Sequence, residues 1–237
     1  GNLVKGEQNT KVELTVLRGG AEKTFTVTRK KVAVTVATGV MLEDGIGLVT
    51  IENFDSRCAQ ETIGAIDALV EQGAKAIIFD VRNNPGGYAS EMVEVLDYLL
   101  PKGELFRTVD YRGREDVEKS DANCLDLPMA VLVNAGSYSA AEFFAAALND
   151  YDAAVIVGEQ TSGKGHFQNT FKLSDGSAVS LSVGKYFTPG GVSLEGVGIT
   201  PDIVVTVDEQ TGAQIYYNQL PAAEDPQIQA AVAALKT

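Results

Sequence analysis

Residues 128–148 begin Pro128-Met129-Ala130-Val131-Leu132-Val133-Asn134-Ala135-Gly136-Ser137-Tyr138-Ser139-Ala140-Ala141-Glu142 and continue as an Ala-rich run to Leu148. The opening run is apolar without alternation, which suits a strand covered on both faces. The middle is small and polar, as a loop is. The Ala-rich end predicts a helix from about Ala140 to Leu148. A buried strand feeding a helix through a short loop is the unit of an α/β fold.

The same unit recurs on both sides. Gly45–Glu52 reads as a strand, and Asp55 or Ser56 can cap a helix from about Cys58 to Gln72, ended by Gly73. Ala76–Val81 is a second apolar run, followed by Arg82-Asn83-Asn84-Pro85-Gly86-Gly87 and a helix from about Ser90 to Leu100. Ala154–Gly158 is a further strand. Residues 102–126 are polar and read as a strand and a mobile loop. Phe171–Val183 reads as a hairpin through Ser174-Asp175-Gly176, and about Pro226 to Leu235 as a short terminal helix. At the start, Val12, Leu14 and Val16 alternate, Arg18-Gly19-Gly20 turns, and Phe25 and Val27 resume the alternation. Val32–Val36 continues as a strand or serves as a linker.

Composition narrows the partners. The 237 residues carry a formal net charge of −13, which disfavours nucleic acid and anionic membranes. Two distant cysteines, Cys58 and Cys124, make no disulfide framework, though a single bridge between them stays open. They and the single histidine, His166, leave no Cys- or His-rich metal site. No apolar run is long enough to span a bilayer. The chain opens at Gly1-Asn2 rather than Met, as an excised or mature piece would.

In α/β sheets ligands gather beyond the carboxyl ends of strands. Two loops there stand out, Asn83–Gly87 and Gly136–Ala140. Ser137 and Ser139 can be helix caps, or one can be a nucleophile with the helix N-terminus favouring developing negative charge. A Gly-x-Ser-x-Gly elbow is absent, since Ala141 follows Ser139 by two. Thr161-Ser162-Gly163-Lys164-Gly165 offers a lysine flanked by glycines, either an exposed loop residue or a base shielded from water. A phosphate-binding P-loop does not fit, because Gly165 follows Lys164.

Taken together these segments resemble the C-terminal-processing, or tail-specific, serine peptidases. Val81-Arg82-Asn83-Asn84-Pro85-Gly86-Gly87, Ser137-Tyr138-Ser139-Ala140-Ala141-Glu142 and Thr161-Ser162-Gly163-Lys164-Gly165-His166-Phe167-Gln168 are similar to successive elements of that family. Tyr186-Phe187-Thr188-Pro189-Gly190 and Gly198-Ile199-Thr200-Pro201-Asp202 are similar to its closing elements. The spacing agrees: Ser139 lies three residues before Glu142 and 25 before Lys164. Tyr138 and Ala141 depart from the small or hydroxyl residues usual there.

The resemblance implies a ClpP/crotonase-like core of mixed sheets and crossover helices. It implies residues 1–31 as the last strands of a truncated PDZ domain with its linker, 32–207 as catalytic core and 208–237 as an extension with a short helix. It implies Ser139 as nucleophile, Lys164 as general base and Gln168 as the residue that orients the lysine, brought near by a helical turn or a curved loop. The oxyanion would be met by the Ala140 N–H and a donor from Gly86 or Gly87. Glu142 would polarise the site or cap its helix; His166 reads as a bystander and Asp80 as a strand end. No metal or organic cofactor is needed. The substrate would be an extended or unfolded polypeptide cut near its C-terminus, bound by strand pairing. The resemblance places the full-length protein outside the cytoplasm, secreted or membrane-anchored, and leaves a homodimer open. Two other readings stand beside it: a crotonase-like acyl-CoA enzyme, and a catalytically silent or latent peptide-binding scaffold.

Overall fold

A computed structural model describes residues 3–236, in two units, Gly1–Thr35 and Val36–Thr237. Gly1, Asn2 and Thr237, which the expected segments include, lie outside the described residues.

The first unit is a hairpin. Strands β1 (Lys11–Arg18) and β2 (Ala21–Thr28) pair antiparallel from Lys11↔Thr28 to Arg18↔Ala21. Only Gly19 and Gly20 remain for the turn, at φ +60° and +77°. A two-residue turn that matches strand twist needs positive φ at both positions, which glycine adopts at least cost. Arg29 ties the open end together by donating to the carbonyls of Leu3, Val4 and Lys11. No strand continues through residues 29–36, so Val32–Val36 is a connector.

The second unit is built on a six-stranded sheet. Its strands are β3 (Ala37–Met41), β4 (Ile46–Ile51), β5 (Ala76–Asp80), β8 (Met129–Val133), β9 (Ala154–Gly158) and β12 (Ile203–Val204). The spatial order is β12-β9-β8-β5-β4-β3, parallel throughout except for the antiparallel edge strand β3. Helices α1 (Cys58–Glu71), α2 (Ala89–Leu99) and α3 (Ala140–Asp150) provide the crossovers.

The unbroken apolar runs are explained by two cores. Ile77 and Phe79 of β5, with Met129, Val131 and Val133 of β8, face the helices α1–α3. The alternate residues Ile78, Ala130 and Leu132 face the other way. Rings of Phe54, Phe79 and Phe144 meet in the larger core at centroid separations of 5.7 and 5.4 Å. The second face is covered by helix α5 (Pro226–Ala234), whose Ile228 and Ala231 pack on Ile78, Leu132 and Val157.

Three expectations change. Residues 102–126 hold two paired strands, β6 (Gly103–Asp110) and β7 (Glu115–Ser120), rather than one strand and a loop. They join β10 (His166–Lys172) and β11 (Ala178–Phe187) in an antiparallel sheet of order β10-β11-β6-β7, so the later hairpin is longer than its turn residues indicated. No boundary falls at residue 207. The segment beyond it carries α4 (Glu209–Tyr216) as well as α5, and α5 belongs to the same unit because a parallel sheet left bare on one side would expose its apolar face. The bridge that the sequence left open between Cys58 and Cys124 is not formed: both are free thiols, one buried in α1 and the other exposed. Burial pushes the Cys58 thiol up to about 11.

Candidate active site

The loop between β8 and α3 carries Ser139 at the helix start with φ 59° and ψ −125°. A non-glycine residue here is strained by about 1–3 kcal/mol and persists only where its surroundings dictate it. They do. The Tyr138 N–H donates to the Asn84 carbonyl at 3.1 Å, and the Ser139 N–H to Glu142 Oε2 at 3.0 Å. The Ser139 carbonyl accepts from the N–H groups of Glu142 and Phe143. Ser137 is fully buried and structural: its hydroxyl donates to the Val81 carbonyl at 2.7 Å and accepts from the Asn134 N–H.

Glu142 is fully buried and receives four hydrogen bonds. Its Oε1 accepts from Thr161 Oγ1 at 2.6 Å and Gly163 N–H at 2.7 Å. Its Oε2 accepts from Ser139 N–H at 3.0 Å and Lys164 N–H at 2.9 Å. One carboxylate oxygen thus holds the main chains of Ser139 and Lys164 together. Of the two roles expected for Glu142, the structure shows the helix-capping one, and the same carboxylate also holds Thr161, Gly163 and Lys164. The Ser162 hydroxyl adds a bond to the Ala135 carbonyl at 3.0 Å.

Lys164 is half-buried, and its Nζ lies 5.5 Å from the centroid of the Tyr138 ring, a cation–π contact. Among the described residues its Nζ makes no hydrogen bond or ion pair, so the structure brings the backbones of Ser139 and Lys164 together but records no bond from Nζ to the hydroxyl. Gln168 sits apart. It is exposed on β10, because the chain is extended from His166 onward and does not stack residues four apart as a helix would. His166 Nδ1 lies 2.7 Å from Glu195 Oε2, which also takes the Gly165 N–H at 2.6 Å. Burial acts against ionisation of Glu195, but these two donors hold its carboxyl below the usual carboxylate range.

The second loop, Asn83–Gly87, lies against the first. A Cβ on Gly86, which has φ +86°, would sit 2.8 Å from Ser139 Cβ and 2.9 Å from Ala140 N. A Cβ on Gly87 would collide with the Phe54 carbonyl. The Gly86 N–H is already engaged, donating to Asn84 Oδ1 at 2.8 Å. Among the described residues the N–H groups of Gly87 and Ala140 donate to no protein acceptor. Asn84, given no role of its own from the sequence, is fully buried; its Nδ2 donates to the Ile51 carbonyl at 2.7 Å. Its signal was its place in a Gly-Pro loop, where an amide can satisfy backbone groups that no strand reaches.

Arg82 begins this loop and is buried. It grips Asp80 with Nε at 2.9 Å and Nη2 at 2.6 Å, and its Nη1 reaches Asp225 Oδ2 at 2.8 Å and Gln227 Oε1 at 2.9 Å. Burial works against its charge, but Asp80 and then Asp225 more than compensate and its pKa is raised. Asp80 is therefore half of an ion pair rather than only a strand end.

Among the described residues no group of His, Cys, Asp or Glu side chains could hold a metal ion, and no helix is long and apolar enough to cross a membrane.

Residues 45–205 match the family described as Peptidase family S41. The carboxyl-terminal-processing protease of Synechocystis sp. is 36% identical over 237 residues, covering 97% of this chain and 54% of that protein. A probable CtpA-like serine protease of Staphylococcus aureus is 33% identical over 219 residues, covering 91% of this chain and 44% of that protein. Among solved structures, the photosystem II D1 C-terminal processing protease is similar with a TM-score of 0.67 at 33% identity, covering 84% of this chain and 56% of that one. The chain spans about half the length of the curated relatives it matches.

Proposed function

The chain belongs to peptidase family S41, and on that premise we propose that it is the catalytic part of a serine endopeptidase that cuts extended polypeptides near their C-terminus through a Ser139–Lys164 dyad. The observation that carries this reading is the single Glu142 oxygen bonded to both the Ser139 and Lys164 amides. It supports the nucleophile from one loop and the base from another with a part that neither side chain supplies.

In this mechanism Ser139 Oγ attacks the scissile carbonyl carbon and its proton passes to the Lys164 amine. The Lys164 side chain swings off the Tyr138 ring to make that transfer. The oxyanion is met by the Ala140 N–H and the Gly87 N–H; Gly86 is the less suitable donor because Asn84 occupies its hydrogen. Collapse expels the amine, which takes the proton from Lys164, and leaves an ester on Ser139. Water attacks that ester as Lys164 accepts its proton; collapse expels the Ser139 oxygen, Lys164 returns the proton to it, and the new carboxyl terminus departs. Gln168 is assigned the orienting role only in the substrate-bound form, since it is exposed here. The ClpP/crotonase-like description of the core and the PDZ origin of the β1–β2 hairpin belong to the same proposal, as does a location outside the cytoplasm.

Ser139→Ala should abolish cleavage of an unfolded polypeptide and covalent labelling by a fluorophosphonate, while circular dichroism stays unchanged. Lys164→Ala should abolish cleavage as well. Near-normal turnover by the Lys164→Ala chain would end the dyad assignment.

A further inference from the structure

We infer that Asp225, in the segment beyond the family match, is a positioning residue for the loop that carries Gly86 and Gly87, acting through Arg82. The match to the peptidase family ends at residue 205, twenty residues short of Asp225. Yet this segment supplies two of the three side chains that hold the Arg82 guanidinium.

Asp225 divides its oxygens between two tasks. Oδ1 caps α5, accepting from the N–H groups of Gln227 at 2.9 Å and Ile228 at 3.2 Å. Oδ2 faces away from the helix and takes Arg82 Nη1. Gln227 is also divided: Oε1 accepts from Arg82 and Nε2 donates to the Val205 carbonyl at 2.8 Å. Arg82 has 4% side-chain exposure and Asp225 2%, so this pairing is hidden from water and from screening salt. A helix needs only one capping oxygen, and an exposed cap would do. A buried guanidinium clamped by both Asp80 and Asp225 fixes something more, and the next residues show what.

Arg82 is followed at once by Asn83, whose N–H donates to Asn134 Oδ1 at 2.9 Å, and by Asn84. Asn84 orients the Gly86 N–H with its side chain and receives the Tyr138 N–H on its carbonyl. The path from α5 to Ser139 therefore runs through the Arg82 guanidinium, two residues of loop backbone and the contacts of Asn84. The inference rests on the peptidase reading for its kinetic consequence, but its structural content does not.

The test uses Asp225→Asn and Asp225→Ser. Both residues cap helices well, so α5 keeps its start. Asn turns a donor toward Arg82, and Ser is too short to reach it. Amide hydrogen exchange is measured on each variant, and also with Ser139→Ala added, where no turnover is needed. The expected result is faster exchange across residues 84–88 with protection of 226–234 retained. On the active chain, kcat should fall about 10- to 100-fold with KM unchanged, as expected for a misplaced reacting group. Unchanged protection at 84–88 in Asp225→Ser overturns the inference. So does loss of protection across 226–234, which would make the pair a helix anchor alone. If the unsubstituted chain cleaves nothing, the peptidase reading fails, and the exchange data still decide this one.

Discussion

At the scale of single residues, the site depends on groups that accept and donate without reacting. Glu142 is the clearest. Glu142→Gln keeps its shape but puts an amide where acceptors are needed, leaving buried donors unpaired at about 1–3 kcal/mol each. Denaturant titration should register that loss, and peptide cleavage should fall with it. Gly86→Ala forces a Cβ onto Ser139 and Ala140 at a positive φ. Its cleavage rate should drop by about 10²-fold, the scale of a lost oxyanion donor, with the far-UV spectrum unchanged. Glu195 gives a pH signature. Its pKa is lowered in the folded chain, so its contribution is present above the ordinary carboxylate range and disappears as pH falls through the depressed value. The Tm gap between parent and Glu195→Ala should therefore be open at pH 7 and close in acid.

At the scale of elements, what could be read in advance was what local pattern controls. The runs Ala76–Asp80 and Met129–Val133 announced strands covered on both faces, and both have one core on each side. The Ala-rich stretch after Ser139 announced α3. Residues 102–126 misled because Glu115–Ser120 is mostly charged and exposed, and its pairing comes from β6 across the sheet, not from its own periodicity. Ser139 and Lys164 could be singled out by motif and spacing. The roles of Thr161, Asp225 and Gln227 could not, because they are contacts over long sequence separations. Ser139 also holds its positive φ at the helix start without the flanking glycines of a Gly-x-Ser-x-Gly elbow. Ser137 and Ala141 fill those places, both fully buried, where a larger side chain would not fit.

At the scale of the whole molecule, the second unit closes only with its last helix. A chain ending at residue 207 lacks the cover over Ile78, Ala130, Leu132 and Val157. It should bind a hydrophobic dye and lose cooperative melting, whereas a chain with α5 intact should do neither. The frame around Ser139 has one more practical outcome. It is drawn by main-chain amides converging on Glu142, so exchanging the serine hydroxyl for hydrogen removes the proposed nucleophile and spares that frame. If the proposed function holds, an immobilised Ser139→Ala chain should serve as bait, retaining uncut polypeptides long enough for mass spectrometry to identify them.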